Sequence, residues 1–188
     1  MKREIGFSSR VGDRWTFAIE FEGSGDPPRV WNEWWGCLWL WIDGRLVGRP
    51  TEIEMVMTGL DSLVESVQQA VSRNSTLLSS RPPDEALNSV MRASYGDYSP
   101  GPESPTEDTS LLQAHEVLPR LTGAFFDGWE AILIEENVRE RFIFRQEGGG
   151  AVGEAFWPVG TFKKIVLQAR DEFEKLARAT TRPPGARV

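Results

Sequence analysis

The 188-residue chain predicts an α+β fold, a mostly antiparallel sheet with helices packed against it, in a single domain over 1–188. Three observations carry that prediction. Residues 14–22, RWTFAIEFE, alternate with the period of a strand. Asp43-Gly44 separates two apolar runs with the two-residue signature of a hairpin. Elements then follow in the order strands, helices, loop, strands, helix, which is not the regular alternation of a parallel sheet.

In the first strand Trp15, Phe17, Ile19 and Phe21 share one face, and Thr16, Ala18, Glu20 and Glu22 share the other. GSGDPP (23–28) is a loop by composition. Next comes the densest aromatic stretch, with Trp31, Trp34, Trp35, Trp39 and Trp41 inside eleven positions. Trp35, Cys37, Trp39 and Trp41 face one way, and Trp34, Gly36, Leu38, Leu40 and Ile42 the other. Apolar residues on both faces predict an interior strand covered on two sides. A stacking platform would interleave aromatics with polar or cationic groups, yet no Lys occurs between Glu4 and Gly160. Five exposed indoles would also form an aggregation-prone patch. Most of them are therefore assigned to the core, with Trp31 and Trp34 at the strand entrance left nearest the surface.

A strand from Arg45 through Val47 follows, and EIEMVM (52–57) either resumes as a strand or leads into a helix. Leu60, Leu63, Val64, Val67 and Val71 recur at helical spacing, predicting a helix from Thr58 to about Arg73 with Thr58 and Asp61 at its start. RPPDEALNSVMRAS (81–94) predicts a second helix, opened by prolines and acids. Residues 95–110, YGDYSPGPESPTEDTS, combine three prolines, two glycines and four acids with no cation, and predict a flexible insertion. LLQAHEVLPRL (111–121) reads as an irregular strand, and 129–146 as a hairpin turning near Glu136-Asn137. GEAFWP (153–158) is a short strand ended by proline. Thr161 is placed as the N-cap of the last helix, whose stripe is Phe162, Ile165, Val166, Ala169, Phe173 and Leu176. Residues 180–188 form a loose tail.

The net charge of −7 and a pI near 4.9 argue against nucleic acid or an anionic membrane as partner, and favour a basic protein. The charge is unevenly spread. Residues 82–118 hold Asp84, Glu85, Asp97, Glu103, Glu107, Asp108 and Glu116 against Arg92 alone, a balance of −6. One cysteine excludes an internal disulfide and fits a reducing compartment. No secretory h-region is visible, and no stretch approaches the ~18 apolar residues of a membrane helix, so a cytoplasmic location is expected.

No catalytic constellation stands out. Cys37 and His115 are single and far apart in sequence, and Cys37 reads as an inert buried thiol. No cluster has metal-ligand spacing, and no cofactor is implied. Glu20 and Glu22, with Glu33 nearby, offer the paired carboxylates of glycoside hydrolysis, but they also read as the solvent face of an amphipathic strand. QEGGGAVGE (146–154) lacks the Lys-Ser/Thr ending of a phosphate-binding loop and reads as a turn.

RWTFAIEFE and WWGCLWLWIDGRLVG resemble the opening of the immunity protein 42 family of bacterial polymorphic-toxin systems, with its aromatic FAIE strand and its glycine-aromatic strand ending at a glycine turn. FFDGWEAILIEE, RERFIFR and PVGTFKKIVLQARDEFEKL are similar to that family's C-terminal half. The resemblance spans about three quarters of the chain and stops at the acidic insertion. It implies a non-enzymatic inhibitor that binds a cognate toxin domain in the cytoplasm. On that reading Tyr95, Asp97, Tyr98, Glu103, Glu107 and Asp108 form the candidate contact, acids for charge complementarity and tyrosines as anchors. The same segment also reads as a solvated insertion with no partner. A carbohydrate or small-ligand module, or a weak hydrolase using exposed tryptophans beside Glu20, Glu22 and Glu33, is the alternative. Oligomeric state and toxin chemistry are not encoded in any motif.

Overall fold

Asp43 and Gly44 both adopt positive φ, 50° and 73°, which is the backbone a twisted two-residue hairpin needs. In the computed structural model, which describes residues 5–68, 73–96, 109–118, 124–148 and 150–181, that turn joins β3 (Trp35–Ile42) to β4 (Arg45–Val47). They belong to an antiparallel five-stranded sheet ordered β1 (Ile5–Gly12), β2 (Phe17–Ser24), β3, β4, with β5 (Glu54–Met55) also paired to β3. A second, three-stranded antiparallel sheet is ordered β6 (Trp129–Glu135), β7 (Arg139–Gln146), β8 (Gly153–Pro158). The helices among the described residues are α1 (Val56–Gln68), α2 (Thr76–Ser80), α3 (Pro83–Tyr95), α4 (Thr109–Gln113) and α5 (Thr161–Thr180).

The chain clusters into two compact units. One comprises Met1–Val64, Arg120–Asp127 and Phe162–Val188, the other Glu65–Pro119 and Gly128–Thr161. Neither is contiguous in sequence.

In the first unit, the inner face of the five-stranded sheet packs on α5. Phe17 stacks on Phe162 with centroids 5.2 Å apart, and Phe21 meets Phe173 edge-on at 5.6 Å. Phe7 also abuts Phe173 and the Trp34 ring, at 5.6 and 5.1 Å. Glycines make room for these rings. A Cβ on Gly6 would lie 2.7 Å from Trp34, and one on Gly23 would lie 2.5 Å from Phe7.

In the second unit, Leu78, Ala86, Leu87, Val90, Met91, Leu112, Ile132, Ile134 and Ile143 form one buried cluster between α3 and the three-stranded sheet. Arg141 and Arg145 lie on that same face of β7 and tie it to the helices. Arg141 donates to the carbonyls of Leu78, Ser79 and Arg81 at 3.1–3.2 Å and pairs with Glu154 at 2.5 Å. These bonds satisfy the C-terminal carbonyls of α2, which a five-residue helix cannot pair internally.

Several expectations hold. The two hairpins, β8 and α5 stand where the sequence places them, and β3 is buried on both faces except at its first residue and at Trp41. Others need correction. Trp15 is 79% exposed, because the chain turns at 13–16 and β2 begins only at Phe17. Helix α1 starts at Val56, so Thr58 is inside it rather than at its cap. Residues 109–113 are helical, where the sequence places the end of the flexible insertion and the start of an irregular strand; among the described residues of that strand Glu116 bridges Ile132, and 119–121 lie outside the described residues. Thr161 opens α5, with its hydroxyl donating to the Pro158 carbonyl at 2.6 Å. Strand β1 and helix α2 were not expected. The Gly- and Ser-rich IGFSSRVG has weak strand propensity, and pairing with β2 supplies what the sequence lacks.

Candidate functional site

The candidate acidic contact begins where α3 ends. Gly96, at φ 82°, terminates the helix in the left-handed conformation. Just before it, Tyr95 is 39% exposed, and its hydroxyl donates to Glu116 at 2.6 Å. Asp97, Tyr98, Glu103, Glu107 and Asp108 lie outside the described residues. Of the predicted contact residues, then, the fold positions Tyr95 and holds it against a second acid from the same charge-rich region.

The paired-carboxylate alternative fares poorly. Glu20 accepts two bonds from the Arg14 Nη2, at 2.6 and 2.8 Å, and one from the Trp41 indole at 2.8 Å. The Arg14 guanidinium also lies over the Trp41 ring, 4.4 Å from its centroid. A carboxylate occupied in this way is an ion-pair partner rather than a poised acid. Glu33 sits on the surface in a 3₁₀ turn, Trp31–Glu33.

The remaining candidates are also structural. Cys37 is fully buried. His115 is 2% exposed, with Nδ1 2.9 Å from the Leu111 carbonyl and Nε2 3.0 Å from the Arg73 carbonyl. Burial pushes its pKa below the ordinary 6.5 against the pull of those carbonyls, with the Arg73 charge adding to the depression. Arg73, also 2% exposed, donates to the Ala114 carbonyl at 2.8 Å and to the Ser66 carbonyl, and burial lowers its pKa as well. Among the described residues, no group of His, Cys, Asp and Glu converges as a metal site, and no helix is long and apolar enough to cross a membrane.

The tryptophans divide differently from the sequence expectation. Trp34, predicted near the surface, is 1% exposed, while its neighbour Trp35 is 53% exposed. Trp34 precedes the strand and turns inward to Phe7, so the alternation begins at Trp35 instead. Trp31 is half-buried beneath Arg178, whose guanidinium lies 4.1 Å from its ring centroid. Glu174 bonds both Arg178 and Arg170, and the Arg178 bond holds its carboxyl below the usual carboxylate range. Trp39 is 7% exposed and Trp41 half-buried.

The sequence model of immunity protein 42 matches residues 7–172. The chain belongs to the immunity protein 42 family. The match runs through both sheets and most of α5, so it covers the framework and not a local motif. The fold is also that of a solved structure: CdiI from Burkholderia dolosa AUO158 superposes with a TM-score of 0.63 at 19% identity, over 87% of this chain and 99% of that one. At that identity the likeness is one of fold. No curated protein matches the sequence. This immunity protein is thus a toxin-neutralising protein, and its partner is a cognate toxin.

The surface feature that sequence reasoning missed is Trp35 with its cross-strand partner Met55, which is 39% exposed. A signal was present. Trp35 heads the row Trp35–Cys37–Trp39–Trp41, and the end of a row is where cover runs out.

Proposed function

We propose that this immunity protein neutralises its toxin by direct, stoichiometric contact in the cytoplasm, without chemistry of its own. The partner is a basic toxin domain, and the segment holding Tyr95, Asp97, Tyr98, Glu103, Glu107 and Asp108 contributes to the contact. The observation that carries this reading is the charge distribution, with −6 of the net −7 inside residues 82–118. The ion pairs of Glu20 and Glu154 support it, because they commit acids elsewhere to the framework. A concentrated negative surface speeds encounter with a cationic cleft and repels competing anions.

The test is a titration of purified toxin domain with the immunity protein, read by calorimetry and by residual toxin activity. Inhibition should be complete at one equivalent, and the toxin released by denaturation should regain activity. Full inhibition by a small fraction of an equivalent, or a covalently altered toxin, would reject the binding mechanism.

A further inference from the structure

We infer that Trp35, with Met55 beside it, anchors a toxin-contact surface on the five-stranded sheet, an apolar pair with the Glu22 carboxylate on its face and Glu33 close by in the chain. The inference rests on neutralisation by direct contact. It assigns a docking site separate from the acidic segment.

Exposure is the first observation. Trp35 is 53% exposed and pairs across the strands with Met55 at 39%, so the two side chains share a face, while Ile53, two residues earlier, is 43% exposed. Single exposed apolar residues are ordinary, but two paired directly across neighbouring strands form a patch. The fold does not require this patch. Farther along the same row of β3, Cys37 and Trp39 are covered, at 0% and 7% exposure.

Rigidity is the second observation. Trp34, immediately before Trp35, is locked in the core, and its carbonyl accepts the Val56 N–H at 3.1 Å. The Trp35 carbonyl accepts the Ser24 hydroxyl at 3.4 Å. Gly36, immediately after, is pressed so closely on β2 that a Cβ would lie 1.7 Å from the Glu22 carbonyl oxygen. The indole is therefore presented from fixed backbone on both sides. Binding loses little conformational freedom there, a property of anchor residues at protein interfaces.

Charge selects the occupant. Glu22 pairs with Cys37, the next residue on the Trp35 face, and Glu33 stands exposed two residues before Trp35, while Glu54, paired with Gly36, faces the other side of the sheet. The nearby cation Arg49 is paired with Glu52 and Asp127, each at 3.8 Å. A second copy of this surface would bring like charges together, and an anionic membrane or nucleic acid would be repelled. A cationic toxin domain with an apolar recess satisfies both the Trp35–Met55 pair and the acids Glu22 and Glu33.

Trp15 provides an internal control. It is 79% exposed, but its ring lies over the Gly44 turn at the far end of β3, roughly 23 Å along the strand from Trp35. The experiment measures toxin-domain affinity and dissociation rate for the full chain and for Trp35→Ala, Trp35→Phe, Met55→Ser and Trp15→Ala. Light scattering on each protein reports self-association. Trp35→Ala should weaken binding by about 30-fold or more through faster dissociation, with Trp35→Phe recovering most of the loss. Met55→Ser should weaken binding about fivefold, and it keeps the test open if Trp35→Ala fails to fold. Trp15→Ala should bind within about twofold of the parent. Parent-like binding by both Trp35→Ala and Met55→Ser would overturn the inference while leaving direct contact intact. A dimer that Trp35→Ala converts to monomer, with toxin binding unchanged, would overturn it in favour of self-association. No binding by the parent chain would sink the direct-contact reading and this inference together.

Discussion

His115 has both ring nitrogens against backbone carbonyls, although a neutral imidazole carries one N–H. Protonation would satisfy both carbonyls, but burial beside the Arg73 charge opposes it, and the folded-state pKa falls below 6.5. The unfolded chain therefore binds this proton more readily. The stability His115 contributes is fully present above pH 6.5 and is lost as pH falls below it towards the folded-state value. Melting temperature should accordingly decline between pH 7 and pH 5, and His115→Gln should flatten that decline. Parallel curves for the two proteins would assign the pH dependence to other groups. The sequence marks His115 as the sole histidine and a poor catalytic candidate. Its Nε2 meets the carbonyl of Arg73, 42 positions away, a contact that no local pattern reports.

At the scale of elements, the glycines show how one strand shapes the next. Gly23 and Gly36 are cross-strand partners on β2 and β3, and each leaves space that a methyl group would fill. Gly36→Ala would drive its Cβ into the Glu22 carbonyl and against Val56, so β2 and β3 would have to separate. We expect a loss of about 3 kcal/mol, measured by chemical denaturation. A change below about 0.5 kcal/mol would mean that the strands relax freely at this point. Helix α5 was legible because Phe162, Val166, Ala169 and Phe173 carry a sustained helical period, and all are buried. The segment 111–121 was not. Leu111 and Leu112 are adjacent apolar residues that suit either element, and packing against α3 buries Leu112 while leaving Leu111 48% exposed.

For the whole molecule, charge distribution is the property on which the proposed acidic contact rests. Reversing Asp97, Glu103, Glu107 and Asp108 should slow association with the toxin about tenfold at low ionic strength and flatten its salt dependence. Dissociation should change less. Association kinetics equal to those of the parent would remove the acidic segment from the contact and leave the Trp35 surface as the remaining candidate.

The hairpins, the last helix and the acidic bias were determined by the sequence itself, since strand alternation, the Asp43-Gly44 turn and helical period act over a few neighbouring residues. Which indole meets solvent was decided by tertiary structure. Trp34 and Trp35 are adjacent and chemically identical. One turns into space left by Gly6 and bordered by Phe7, on a strand almost thirty residues earlier, and the other begins the alternation of β3 on its open side. That choice depends on contacts between distant parts of the chain, which exist only once the strands have paired.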